Sequence, residues 1–297
     1  MKYTENTKAT QSGMTLIELS VVLLVMVGLA GVAVPYVAGM ADKAHDSTTA
    51  STINQLNQTI ASFRSSHNAL PDNLETLTST SGGTASLYGY MISDVNNSGS
   101  ALEAGTINNI GLSALRKAGI TKVMPMAAQP GETANIINAT FKSTLGQTAI
   151  DLNTLTDSAD TLDVAMVKPL PWGNPQYGTN TVAHHLAYAL GGDPTKYDTT
   201  CYDYIAMGIG DQNEMIGSAM QSAPVLFAPN GDFNPEKKYA RFLAIIKVQK
   251  DATWGSSCPD SPQPASFEGV VADMDFAALV GSAASQSWAT STARQSK

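Results

Sequence analysis

The chain has 297 residues, only 14% of them charged, and a net charge of -8. That length accommodates one or two domains with a sizeable core. The acidic balance excludes general affinity for nucleic acid or anionic lipid, because phosphate recognition needs clustered Lys and Arg; Arg64, Arg116, Lys117, Lys237, Lys238 and Arg241 leave room only for a local patch.

In chain order, residues 1–13 are short and polar, carry Lys2 and Lys8, and end in Gly13. Residues 11–18 read Gln-Ser-Gly-Met-Thr-Leu-Ile-Glu, and the uncharged run 19–41 follows at once. That run matches the roughly 20 residues needed to cross a hydrocarbon core of about 30 Å. The two lysines before it predict a cytoplasmic leader with the bulk of the chain outside. A carboxylate at the edge of such a run is costly, so Glu18 is a functional candidate. An ordinary secretory signal, cut near Ala33 or Ala41, is the competing reading, but it needs neither Glu18 nor so long a run.

This junction resembles that of type IV prepilins and type II secretion pseudopilins: a hydrophilic leader ending in Gly13, a new N-terminus at Met14, Glu18, and then an apolar helix. Pro35 stands where many of these proteins carry a helix-kinking proline. The resemblance covers the first 80 residues or so. It implies cleavage after Gly13 and N-methylation of Met14 by a prepilin peptidase/N-methyltransferase. It further implies an assembly ATPase, an inner-membrane platform protein and other minor pilins as partners. Many type IV pilins begin with phenylalanine after the cut, and this chain has methionine. In a helical stack Glu18 would pair with a neighbour's α-amino group, since attraction is strong at low dielectric. Gly28 and Gly31 are three apart and make no GxxxG motif, while Pro35 removes one backbone donor and predicts a kink or loosened turn.

Beyond Asp42 the pattern stays helical. Ile53, Leu56, Ile60 and Phe63 recur at three and four residues among Ser, Thr, Asn and Gln, an apolar stripe on a polar helix. A helix over residues 14–67 is predicted, its stripe packed on a globular head over residues 68–297. His67 reads as a helix-end residue, Asn68 as a left-handed cap, and Pro71 as a stop. Residues 70–77 then read as a turn opening a short helix, residues 79–105 as loop, and residues 107–118 as a short helix with Leu112 and Leu115 inward. Strands are expected at 162–167, 202–207, 225–228 and 241–248, with proline-bearing loops between them. Strands gathered after a long helix predict an α+β fold with an antiparallel sheet.

Cys201 and Cys258, an even pair in a chain that leaves the cytoplasm, read as one disulfide, and the pair resembles the C-terminal disulfide of many pilins. No Cys-x-x-Cys supports zinc or haem. Asn230, Asp232, Asn234 and Glu236 space side-chain oxygens two apart, which suits calcium but equally an Asx-turn loop. Asp193, Asp198 and Asp203 form a second acidic group, read as solvated loop carboxylates. His184-His185 are adjacent and point apart, a poor metal site. No Gly-x-Ser-x-Gly and no phosphate-binding glycine loop occurs, so no enzyme is expected; a membrane-tethered periplasmic hydrolase is the enzyme-class rival.

The sequence therefore predicts a subunit of a homo-oligomeric helical filament. It would sit in the inner membrane by a single pass and then enter an extracellular pilus for adhesion, motility or DNA uptake. A periplasmic type II secretion pseudopilus and a monomeric anchored adhesin are the alternatives.

Overall fold

A computed structural model describes residues 16–81, 84–89, 91, 102–127, 139–169, 181–226, 235–250, 258–259 and 261–272. The chain divides into two compact units, residues 1–45 and 46–297. The predicted long helix is present as α1, Leu16–His67, and the boundary between the units falls inside it. Helical backbone continues through residue 35, whose side chain lies outside the described set. Asn68 ends α1 at φ 53°, the left-handed cap expected of it.

The fold is α+β. The larger unit is built on an eight-stranded mixed sheet in the order β10-β9-β8-β1-β5-β6, with β7 on β8 and β4 on β7. The strands are β1 (Leu74–Glu75), β4 (Leu102–Ile107), β5 (Lys122–Met124), β6 (Ile150–Asp151), β7 (Leu162–Val167), β8 (Tyr202–Gly208), β9 (Phe242–Gln249) and β10 (Ser266–Ala272). A two-stranded ribbon, β2 (Thr78–Ser81) with β3 (Thr84–Leu87), stands apart. Most pairings are antiparallel, but β1 and β5 run parallel, which corrects the purely antiparallel expectation. Residues 118–122 return beside residues 70–73, through Leu70 N to Ala118 O and Asn73 N to Lys122 O, so β5 enters in the same direction as β1.

Period-two alternation in β8 and β9 divides the core between the two faces of the sheet. Ile205, Met207, Phe242, Ala244, Ile246 and Val248 join one cluster; Tyr204, Ala206, Leu243 and Ile245 join the other. The first face receives the α1 stripe Ile53, Leu56, Ile60 and Phe63, together with Leu112 and Leu115 of α2 (Asn109–Lys117). Burying each such aliphatic or aromatic side chain contributes about 1.5–3 kcal/mol. The second face receives Leu186 and Ala189 of α3 (Val182–Leu190), a helix the sequence reading passed over. Caps account for both short helices: Asn108 Oδ1 accepts from the N–H groups of Ile110 and Gly111, and Thr181 Oγ from His184 N. After α2 the chain must pass Gly119 at φ 95°, where a Cβ would meet the Ala69 Cβ at 2.3 Å.

Residues 70–77 do not open a helix. Asn73 (φ 59°) and Leu77 (φ 62°) take left-handed backbone, which helix excludes, and β1 lies between them. A fully buried leucine in that conformation costs about 1–3 kcal/mol, offset by its packing with Tyr88 and Tyr239. The strands expected at 162–167, 202–207 and 241–248 are β7, β8 and β9 within a residue. Val225 makes only an isolated bridge to Arg241. Strands β2, β3 and β4 occupy part of the expected 79–105 loop.

Candidate functional site

The N-terminal part of α1 is apolar and exposed. Leu16, Ile17, Leu19, Val21–Val27 and Leu29 are all exposed, Leu16 at 84% and Leu24 at 77%. They recur on every side of the helix rather than along one stripe. Added Cβ atoms at Gly28 and Gly31 would meet nothing within 4 Å. Ser20, the one hydroxyl in this stretch, returns its proton to Ile17 O at 2.9 Å, which lowers the cost of apolar surroundings. Glu18 is exposed in the first turn, where a carboxylate also meets the positive end of the helix dipole. Gly13 and Met14 lie outside the described residues. So do some side chains of the 19–41 run, and among the described residues no helix is long and apolar enough to cross a membrane.

The polar face of α1 within the larger unit is organised differently. Thr52, Thr59 and Ser66 return their hydroxyl protons to carbonyls four residues back. Asn57 Oδ1 accepts from Val270 N at 2.9 Å and ties the helix to β10. Gln55, Gln58, Ser62, Ser218 and neighbours line an open groove of about 550 Å³, which offers hydroxyls, amides and the His67 imidazole. His67 stacks on Phe63 at 4.1 Å between ring centroids and sits at the helix end as expected.

Cys201 and Cys258 are joined, with a Cα–Cα distance of 5.3 Å. The proposed calcium residues Asn230, Asp232 and Asn234 fall outside the described residues. Glu236 is described: it is exposed, and its carbonyl accepts from Ala139 N. Among the described residues no group of three His, Cys, Asp or Glu side chains converges as a metal site. Asp193 caps the turn Pro194–Lys196, Asp198 accepts from Thr200 and Cys201 N–H, and Asp203 pairs with Lys250 at 3.3 Å. Each of the three thus serves a different local contact. His185 is buried with Nδ1 on Lys168 O at 2.9 Å, and burial pushes its pKa down to about 4. His184 contacts Thr181 Oγ instead, so the two histidines serve separate partners.

Arg116, Lys117 and Arg241 are each engaged by separate local partners. Arg116 donates to Leu152 and Leu155 carbonyls and Lys117 to Pro262 O, while buried Arg241 pairs with Asp211 and with Ala223 O.

One cluster carried no sequence signal. Glu75 is buried and accepts from the Tyr239 hydroxyl and from Ser143 Oγ. Burial pushes its carboxyl pKa up, against the opposing effects of the Tyr239 and Ser143 hydrogen bonds and of Arg241. Its partners come from positions 143 and 239, so no local spacing could have revealed them. Comparison with known protein-family models, curated proteins and solved structures gives no match.

Proposed function

We propose that the chain is a structural subunit of a type IV pilus-like helical filament, without catalytic activity. One observation carries this reading: the first sixteen described residues of α1 form a helix exposed and apolar all round, with Glu18 in its first turn. In a membrane lipid would cover that surface; in a polymer the same residues of neighbouring copies would. The cost of an ionised carboxylate in either setting gives Glu18 its role, pairing with the Met14 α-amino group of a neighbour and so setting the axial register.

Processing follows from this reading. A prepilin peptidase cuts after Gly13 and methylates Met14; an assembly ATPase and an inner-membrane platform then draw the helix into the growing polymer. The disulfide-closed, elaborated larger unit favours a surface pilus over a periplasmic pseudopilus. The test is mass spectrometry of the mature N-terminus in sheared surface filaments. N-methyl-Met14 in that fraction is the expected result. A mature start after Ala33 or Ala41 overturns the reading, and recovery only from periplasm together with a secretion defect transfers it to a pseudopilus.

A further inference from the structure

Within the larger unit, Phe141 and Leu145 are the large apolar side chains left exposed among the described residues, at 53% and 66%. They stand four apart on the turn 139–146, and the residues between and beside them are pinned. Thr140 is buried, accepting from Ala240 N and donating to Lys238 O. Ser143 is buried, its one hydroxyl proton shared between Glu75 and Thr140 O, while its own carbonyl accepts from Ala127 N. The Arg241 guanidinium lies 5.5 Å from the Phe141 ring centroid. Two apolar side chains held out on a rigid turn have the character of a preorganised contact point, because little ordering entropy remains to be lost on binding.

We infer that this turn is the contact through which the larger unit of one subunit grips that of a second copy of this chain, by way of the acidic turn over residues 151–163. The inference rests on the filament reading. Charge selects the receiving surface. Around Phe141, the segments 139–146 and 235–241 carry Lys142, Lys237 and Lys238, together with buried Arg241 paired to Asp211, and Glu236 as their sole carboxylate. Residues 151–163 carry Asp151, Asp157, Asp160 and Asp163 and no Lys or Arg, and Asp157 to Ala159 are exposed. Arg116 beneath that turn is occupied by the carbonyls of Leu152 and Leu155.

Size selects the kind of partner. A free protein needs about 1,000 Å² of interface to bind stably, more than one turn with two apolar side chains supplies. A copy already held through its N-terminal helix meets the turn at millimolar effective concentration, where a small contact suffices. Isolated exposed ion pairs contribute little, so the lysines orient the contact and the apolar pair holds it.

The test is cross-linking in the assembled polymer of the full chain. Leu145→Cys combined with Ser158→Cys is expected to give an oxidation-dependent ladder of multimers that neither single variant gives. Lys142→Glu is expected to reduce pelletable polymer, and Lys142→Glu with Asp157→Lys to restore it. Restoration also shows that Lys142→Glu left the fold intact. Polymer that assembles normally with no ladder and no charge-reversal effect overturns the contact and leaves the filament reading standing. Failure of the unmodified chain to polymerise at all removes both.

Discussion

The Tyr239 hydroxyl donates to Glu75 Oε2 in the interior of the larger unit, across 164 positions of chain. Ser143 reaches the other carboxyl oxygen, and Arg241 and Asp211 are the charged groups acting on it. The backbone at Gly210 makes this possible, since a Cβ there would sit 1.9 Å from Glu75 Oε1. β1, the 139–146 turn and the segment leading into β9 are thereby joined at one acidic group.

Burial raises the pKa of Glu75 above its ordinary 4.5, so the folded state binds this proton more tightly than the unfolded state. Its stability contribution is therefore complete below the unfolded value and is lost as pH rises through the folded one. Thermal melts across that interval should show falling Tm with rising pH, and Glu75→Gln should flatten the slope. An equally steep slope in the variant would assign the dependence to another group.

The Cys201–Cys258 bond closes a separation of 57 residues. Constraining the unfolded chain over that length stabilises by about 4 kcal/mol in the chain-entropy model. The Cys201→Ser/Cys258→Ser variant should lose stability of that order in urea titrations. A loss below about 1 kcal/mol would mean the reduced unfolded chain stays compact there.

What the sequence disclosed follows the range of the interactions involved. The α1 stripe, α2 with Leu112 and Leu115 inward, and the apolar run of β9 announce themselves because their signals lie within one or two turns or one strand. Strand β10 was missed because the register shift between Phe267 and Gly269 breaks its alternation. β4, Leu-Glu-Ala-Gly-Thr-Ile, looks like loop because its place comes from six-residue pairing with β7 rather than from its own propensity. The short helix expected to open within residues 70–77 failed at Asn73 and Leu77, which take left-handed backbone. Of the candidate site, Glu18 and the apolar helix were legible as composition. The Glu75 cluster and the fixing of the Phe141–Leu145 turn were not, because the partners involved come from segments far apart in sequence.

The α1 stripe supplies a local test of how the larger unit holds its helix. Asn57 Oδ1 satisfies Val270 N–H beside the bulge in β10. Asn57→Ala removes the acceptor and leaves the N–H of buried Val270 unpaired, which should cost about 1–3 kcal/mol. Hydrogen exchange at Val270 should rise accordingly. Unchanged protection would mean that another acceptor takes over.

Glu18 offers the sharpest separation between assembly and folding. It lies in the unit spanning residues 1–45, whereas the sheet, the disulfide and both core clusters belong to residues 46–297. Glu18→Ala removes a carboxylate without touching any of those contacts, so the melting of the larger unit should stay within about 0.5 kcal/mol of the unmodified chain. Polymer formation should fall steeply, because a subunit whose neighbour's α-amino group finds no counter-charge carries an unpaired cation in low dielectric, a loss of several kcal/mol. Glu18→Gln tests the charge separately from the shape: it keeps the length and loses the ionic pairing, and it should fail nearly as badly. Incorporation of both variants at the unmodified level would show that register is set elsewhere along α1.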